Sequence, residues 1–306
     1  MAEPIKLLIL YSLILNTENA SRTPLATDQG KLQKLVEDID SQNYLIVVID
    51  GLKELESQEL ALGRTLEAIE AGQSKTIKVF AKEEYEAEPP IQGLAARYQQ
   101  DRRVSWQSYR DDDDIEAKLC GLERVGRPAA VSIFRARSQS MYEKDHPEES
   151  AALRIRVIHL TSQDPMSRQK WEDYIFLHFR LSKLQEFAPA REAAQAALEI
   201  AKTLENDDLI GRSYLQIGYC SHQMGELAVA EAEILHSIEF GKKAGDESVL
   251  GGRYQRLGMI YRSASMLDAA EKSFLEALVI DTKLGNKSNA AYTCELLSSL
   301  SLKRRS

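Results

Sequence analysis

Residues 251–277, GGRYQRLGMIYRSASMLDAAEKSFLEA, decide the reading of this chain, because their pattern recurs at a period of 40. Tyr174, Tyr214 and Tyr254 form one column, Leu177, Ile217 and Leu257 a second, and Phe187, Leu227 and Leu267 a third. Ala190, Ala230 and Ala270 make a fourth, and Leu198, Ile238 and Leu278 a fifth. Leu204, Ala244 and Leu284 each stand just before a polar turn, Glu205-Asn206, Gly245-Asp246 and Gly285-Asn286. Self-similarity at such a period predicts a solenoid of helix pairs, since one pair cannot bury its apolar face alone. Small residues in some columns let helices approach, and large ones fill the gaps beside them.

The unit 251–284 resembles the tetratricopeptide repeat. Tyr254, Leu257, Gly258, Tyr261, Ala270, Phe274 and Ala277 fall at that family's aromatic, Leu-Gly, aromatic, Ala, Phe and Ala positions. The unit 211–244 shares Tyr214, Ile217, Gly218 and Ala230, with Ser221 and Ile234 in two aromatic slots. The unit 171–204 shares Tyr174, Leu177, Ala190 and Ala197, with His178 where glycine is usual. The resemblance covers 171–306, and the lengthening of each unit is similar to the extended repeats of kinesin light chain and related adaptors. Cys294, Leu297 and Leu300 begin a fourth unit that reads as a single capping helix.

The resemblance implies an array without a catalytic centre, recognising a protein or peptide in the concave groove lined by each first helix. Those helices carry Arg180, Lys183, Arg212, Gln216, His222, Arg253, Arg256 and Arg262. So many cations favour an acidic segment or a carboxylate terminus, held by forked arginine hydrogen bonds. The same residues read equally as solvated charges paired with helical neighbours, and Met259, Tyr219 and Phe179 as packing residues.

The first half has another character. Of the 306 residues, 43% are hydrophobic and 28% charged, and the net charge is −8. Split at residue 165, the chain carries 21 basic and 28 acidic residues before the division and 18 and 19 after it. Short apolar runs predict strands at 6–12, 44–50, 75–81, 103–108 and 129–134, separated by helices at 29–41, 56–72, 90–100 and 113–124. Strands separated by single helices imply a mostly parallel sheet, covered on both faces. The expected order is therefore a flavodoxin-like or TIR-like α/β domain over 1–140, a linker or extra strand over 141–170, and the repeat domain over 171–306. The extra strand is suggested by Leu153, Ile155 and Val157 alternating with Arg154 and Arg156. Asp111 to Asp114 read as acidic residues in a first helical turn rather than a metal site.

The TIR reading rests on Leu45 to Lys82. A strand ending Val48-Ile49-Asp50, then Ser57-Gln58-Glu59-Leu60, a helix, Ala71-Gly72 and the strand Thr76-Ile77-Lys78-Val79-Phe80 resemble TIR domains and nucleoside deoxyribosyltransferase-like domains. The resemblance implies that Glu59 works at the ribose of a nucleotide, with NAD as a substrate, since a carboxylate stabilises the positive charge of a breaking N-glycosidic bond. Ligands of open parallel sheets lie beyond the carboxyl ends of the strands, which gathers Ser12, Asp50, Glu59 and Lys82 with Arg22 of the 17–27 loop. Glu59 also reads as an ordinary acidic residue near a helix start.

Several classes are excluded. The acidic balance speaks against a nucleic-acid binder. Cys120, Cys220 and Cys294 form no CxxC pair, so neither a disulfide framework nor a zinc site is indicated, and the chain reads as cytoplasmic. The apolar run Leu7 to Leu15 is too short to span a bilayer and reads as a buried strand. GxxxxGK[ST], GxGxxG, HExxH and GxSxG are all missing, which removes P-loop, kinase, zincin and hydrolase readings. The leading expectation is a signalling or scaffold protein that binds a protein or peptide through its repeats, with no cofactor, no membrane and homo-oligomerisation as a further expectation. An NAD or nucleotide N-glycosidase regulated through the repeats is the alternative.

Overall fold

The computed structural model describes residues 7–11, 44–49, 76–83, 92–93, 95–96, 100, 102, 104–120 and 126–304. The chain divides into two units, Met1–Asp145 and His146–Ser306.

In the first unit, β1 (Leu7–Tyr11), β2 (Tyr44–Ile49), β3 (Thr76–Lys82) and β4 (Val104–Tyr109) form one parallel sheet. Leu7 lies opposite Tyr44, Tyr44 opposite Thr76, and Ile77 opposite Val104. Val79, Phe80 and Ala81 are buried in succession, which only a strand covered on both faces allows. The strand order is β1-β2-β3-β4. A flavodoxin-like sheet has its first strand between the second and third, so that label is corrected to a sequentially ordered parallel sheet. Hydrophobic runs announce strands but carry no information about which strands become neighbours. The helices expected at 29–41 and 56–72 lie outside the described residues, and within 90–100 residues 92, 93, 95 and 96 are helical.

Helix α1 (Asp112–Cys120) opens as the acidic run foretells. Asp111 accepts from the Asp114 N–H at 2.9 Å, while Asp114 accepts from the Arg110 N–H at 3.0 Å, a reciprocal cap on the first turn. Lys118 donates to Asp114 at 2.9 Å and to the Ser108 carbonyl at 2.6 Å, tying the helix to the end of β4. The strand expected at 129–134 is instead part of α2 (Gly126–Glu143). A short apolar run cannot be told from a buried helix segment by periodicity. Ala130, Ile133, Phe134, Arg137 and Ser138 are buried at helical spacing, and Arg137 pairs with Asp112.

The second unit begins with α3 (Pro147–Leu160), where the sequence suggested a linker or strand. Proline at the start and Glu148-Glu149 in the first turn suit a helix N-terminus. The alternation misleads because Arg154 is an inside residue. It donates to Asp173 at 2.7 Å and is buried with Ser150, Ala151, Leu153 and Val157.

There follow α4 (Arg168–Lys183), α5 (Phe187–Thr203), α6 (Asp207–Gln223), α7 (Leu227–Lys243), α8 (Leu250–Ser263), α9 (Leu267–Lys283) and α10 (Lys287–Lys303). The period shows in the backbone itself. Gln185, Gly225 and Ser265 take positive φ of 62°, 80° and 58° between the helices of a pair. Each is followed by a 6→1 hydrogen bond, Glu186 N–H to Leu181, Glu226 to Ser221 and Met266 to Tyr261, the closure of a Schellman turn. Asp145 has φ 65°, one period earlier, so the turn before α3 repeats the conformation within each pair. Asn206, Asp246 and Asn286 use their side chains to cap the helices that open successive repeats.

Packing within a pair trades bulk between two columns. A Cβ on Gly258 would lie 2.5 Å from the Phe274 ring, and one on Gly218 2.8 Å from Ile234. In the first of these pairs the large residue, His178, is on the first helix, and the facing column holds the fully buried Ala194. Exchanging bulk between facing positions preserves core volume.

Candidate partner-binding face

Successive first helices α4, α6, α8 and α10 lie side by side and are joined by polar contacts from one repeat to the next. His178 Nε2 meets Gln216 Oε1 at 3.0 Å, His222 Nε2 meets Ser263 Oγ at 2.9 Å, and Arg262 donates to Ser299 Oγ at 3.1 Å. The Arg256 guanidinium lies over the Tyr219 ring, 4.8 Å from its centroid. These contacts follow from the period, since residues one repeat apart occupy equivalent places on neighbouring helices.

The eight residues expected to line the groove divide into two groups. Arg180 and Arg253 are internal, each about 1% exposed. Arg180 donates to Ser150 Oγ at 2.7 Å and to the Phe176 carbonyl at 2.8 Å, so it joins α4 to α3. Arg253 donates to the Ser237 carbonyl in the space left by Gly211 and Gly241, where a Cβ would lie 2.9 Å and 2.0 Å from its Nη1. Its Nε and Nη2 are buried without a hydrogen-bond partner among the described residues. Both are therefore corrected from partner-binding to structural residues. A cation is costly to bury, and the sequence column offers no warning unless the glycines beside it are read as room for a side chain.

The remaining six are nearer the surface. Arg212 is exposed and paired with Asp208 at 2.9 Å, the solvated helical pair that its spacing allows. Lys183 is exposed at the end of α4. Gln216, His222, Arg256 and Arg262 are half-buried and take part in the contacts joining successive repeats. Burial first, and then the positive charges of Arg256 and Arg262, hold His222 below the ordinary histidine range. Burial lowers His178 likewise, against hydrogen bonds to the Ala190 carbonyl and Gln216.

Aromatic residues interleave with these cations more openly than a packing role predicts. Phe176, Phe179 and Tyr292 are 36%, 40% and 46% exposed on first helices. Tyr219 is half-buried beneath Arg256, whereas Met259 packs on the cluster of Ala270 and Phe274. The signal was available in the period, because Phe179, Tyr219 and Met259 share one column and Phe176, Gln216 and Arg256 another.

Of the residues gathered for the nucleotide reading, Ser12, Arg22, Asp50 and Glu59 lie outside the described residues. Lys82 ends β3 and is half-buried. Among the described strands the order follows the sequence, without the reversal at which other open sheets place their ligands. Among the described residues no group of three His, Cys, Asp or Glu could hold a metal ion, and no helix is long and apolar enough to cross a membrane.

No family model and no curated protein matches the chain. Among solved structures, the apo form of RapI is 20% identical with a TM-score of 0.52, over 58% of this chain and 64% of RapI, so the chain spans less than two thirds of that protein. BtubC (BKLC) from P. vanneervenii is 15% identical over 90% of each chain, with a TM-score of 0.48. Kinesin light chain TPR-like repeats from Podospora anserina are 12% identical over 63% of this chain and 94% of that one, with a TM-score of 0.49. Identities this low speak to fold alone. With the 40-residue columns and the recurring Schellman turns, the fold of the helical unit is a solenoid of tetratricopeptide type.

Proposed function

We propose that the face formed by α4, α6, α8 and α10 binds a protein or peptide partner bearing acidic side chains, and that the chain acts as a signalling or scaffold protein with its α/β unit as a second interaction module. One observation carries the reading. Arg256 rests on Tyr219, near Tyr292, and among the described residues no carboxylate acts on it. A guanidinium held flat against an aromatic ring keeps its edge free for a forked bond to a carboxylate, and little ordering entropy is left to lose on binding.

Fluorescence anisotropy of a labelled hexaglutamate peptide with the full chain at pH 8 tests this. Binding should weaken as salt rises, and Arg256→Glu should remove it while leaving the melting temperature unchanged. Binding indifferent to both salt and Arg256→Glu would move the interface off this face.

A further inference from the structure

Where α6, α8 and α10 adjoin, Arg256 and Arg262 stand by the half-buried His222. Ser263 spends its own hydrogen on the Met259 carbonyl at 3.1 Å. The same oxygen meets His222 Nε2 at 2.9 Å. Nδ1 of His222 is buried and has no hydrogen-bond partner among the described residues. A neutral imidazole has one open protonation site.

The charged groups acting on this ring are Arg256 and Arg262, both from α8. On its own helix Tyr219 lies one turn earlier, beneath Arg256, and on α10 Tyr292 acts on Arg256 while Ser299 accepts from Arg262. Among the described residues no carboxylate acts on the ring. His222 is thus kept neutral by burial and by two neighbouring cations, and the second influence is one that an anionic ligand removes.

We propose that the Arg256, Arg262 and His222 cluster is a carboxylate-binding site in which His222 takes up a proton from solvent as the carboxylates arrive, so that affinity rises as pH falls. This rests on the acidic-partner reading above. A carboxylate set against the two guanidinium groups cancels their field at the ring, and its own field favours the imidazolium. Linkage is reciprocal: if the ligand makes protonation easier, protonation makes the ligand bind more tightly by the same factor. A rise of one pKa unit on binding corresponds to at most about a tenfold change in affinity between the fully neutral and fully protonated limits.

The experiment is hexaglutamate binding to the full chain at pH 8.0 and 5.5 in matched ionic strength, for wild type, His222→Gln and His178→Gln. Wild type should bind about three- to tenfold tighter at pH 5.5, even though adjacent glutamates raise one another's pKa and the peptide carries less negative charge there than at pH 8.0. His222→Gln should bind equally at the two pH values, whatever its own affinity at pH 8.0, whereas His178→Gln should keep the pH response. Binding at pH 8.0 with no change at pH 5.5, or a pH response that survives in His222→Gln, would overturn the proton linkage and leave the acidic-partner reading standing. No binding at either pH would overturn both.

Discussion

Gly258→Ala should destabilise the repeats although alanine is the better helix former, and Gly252→Ala on the same helix should do the opposite. A Cβ at 258 falls 2.5 Å from Cε1 and 2.6 Å from Cδ1 of Phe274, where ordinary contact begins near 3.4 Å. The ring would have to retreat by nearly 1 Å, yet it is fully buried among Ala270, Leu296 and Leu300. Overpacking of this kind costs about 1–3 kcal/mol. Replacing glycine by alanine in a helix returns about 0.5–1 kcal/mol. At 252 nothing lies within 4 Å of the new methyl, so only the gain remains. The propensity contribution is shared by the two variants, and their difference isolates the clash at about 1–3 kcal/mol. Urea unfolding followed by circular dichroism at 222 nm measures it. Combining Gly258→Ala with Phe274→Leu should recover much of the loss, as a double-mutant cycle would show. If Gly258→Ala proved as stable as Gly252→Ala, or the cycle showed no coupling, the close approach of α8 and α9 would be wrong.

Two further substitutions separate structural from surface charges. Arg253→Glu should cost about 3 kcal/mol or more, because it places an unpaired carboxylate where a guanidinium now binds the Ser237 carbonyl, while Arg256→Glu should leave the unfolding curve in place. His178 has its pKa lowered by burial, so the folded state favours the neutral ring. Its contribution to stability is present above the unfolded histidine value near 6.5 and is lost as pH falls towards the lowered folded value, with a slope of up to about 1.4 kcal/mol per pH unit. Chemical unfolding at pH 7.5, 6.5 and 5.5 should accordingly show wild type losing stability relative to His178→Gln on the acid side, and parallel curves would count against a buried neutral histidine.

The repeat register was legible because columns of like residues at a fixed period require no tertiary information. It was legible only where the columns stay apolar. In α3 the equivalents of Ala190, Ala194 and Ala201 are Ser150, Arg154 and Thr161, all buried, so the helix preceding the recognised units looked like a strand or linker. The positive φ at Asp145 shows that the period extends further back than the residue identities do. In the α/β unit the four strands were visible as apolar runs, but Val131, Ile133 and Phe134 read as a fifth because burial on one side of a helix and burial in a sheet leave the same short signature. Strand order was invisible for a different reason, being a property of pairs that no single segment encodes.

The candidate face shows how burial sorts charges that composition treats alike. Arg253 and Arg256 are three residues apart on α8, both cationic and both in the first helix of a repeat. One is under Gly211 and Gly241 with a carbonyl for a partner, and the other lies over Tyr219 with no carboxylate acting on it among the described residues. Once Arg180 and Arg253 are assigned to the interior and Arg212 to Asp208, the positive potential of the face contracts from six cations spread over three helices to the seam at Arg256 and Arg262 beside His222, with Lys183 apart on α4. Recognition through so local a seam depends on the geometry of a few bonds more than on net charge. For that reason reversing Arg256 is the more decisive perturbation, and reversing Arg253 with it would confound lost binding with lost folding.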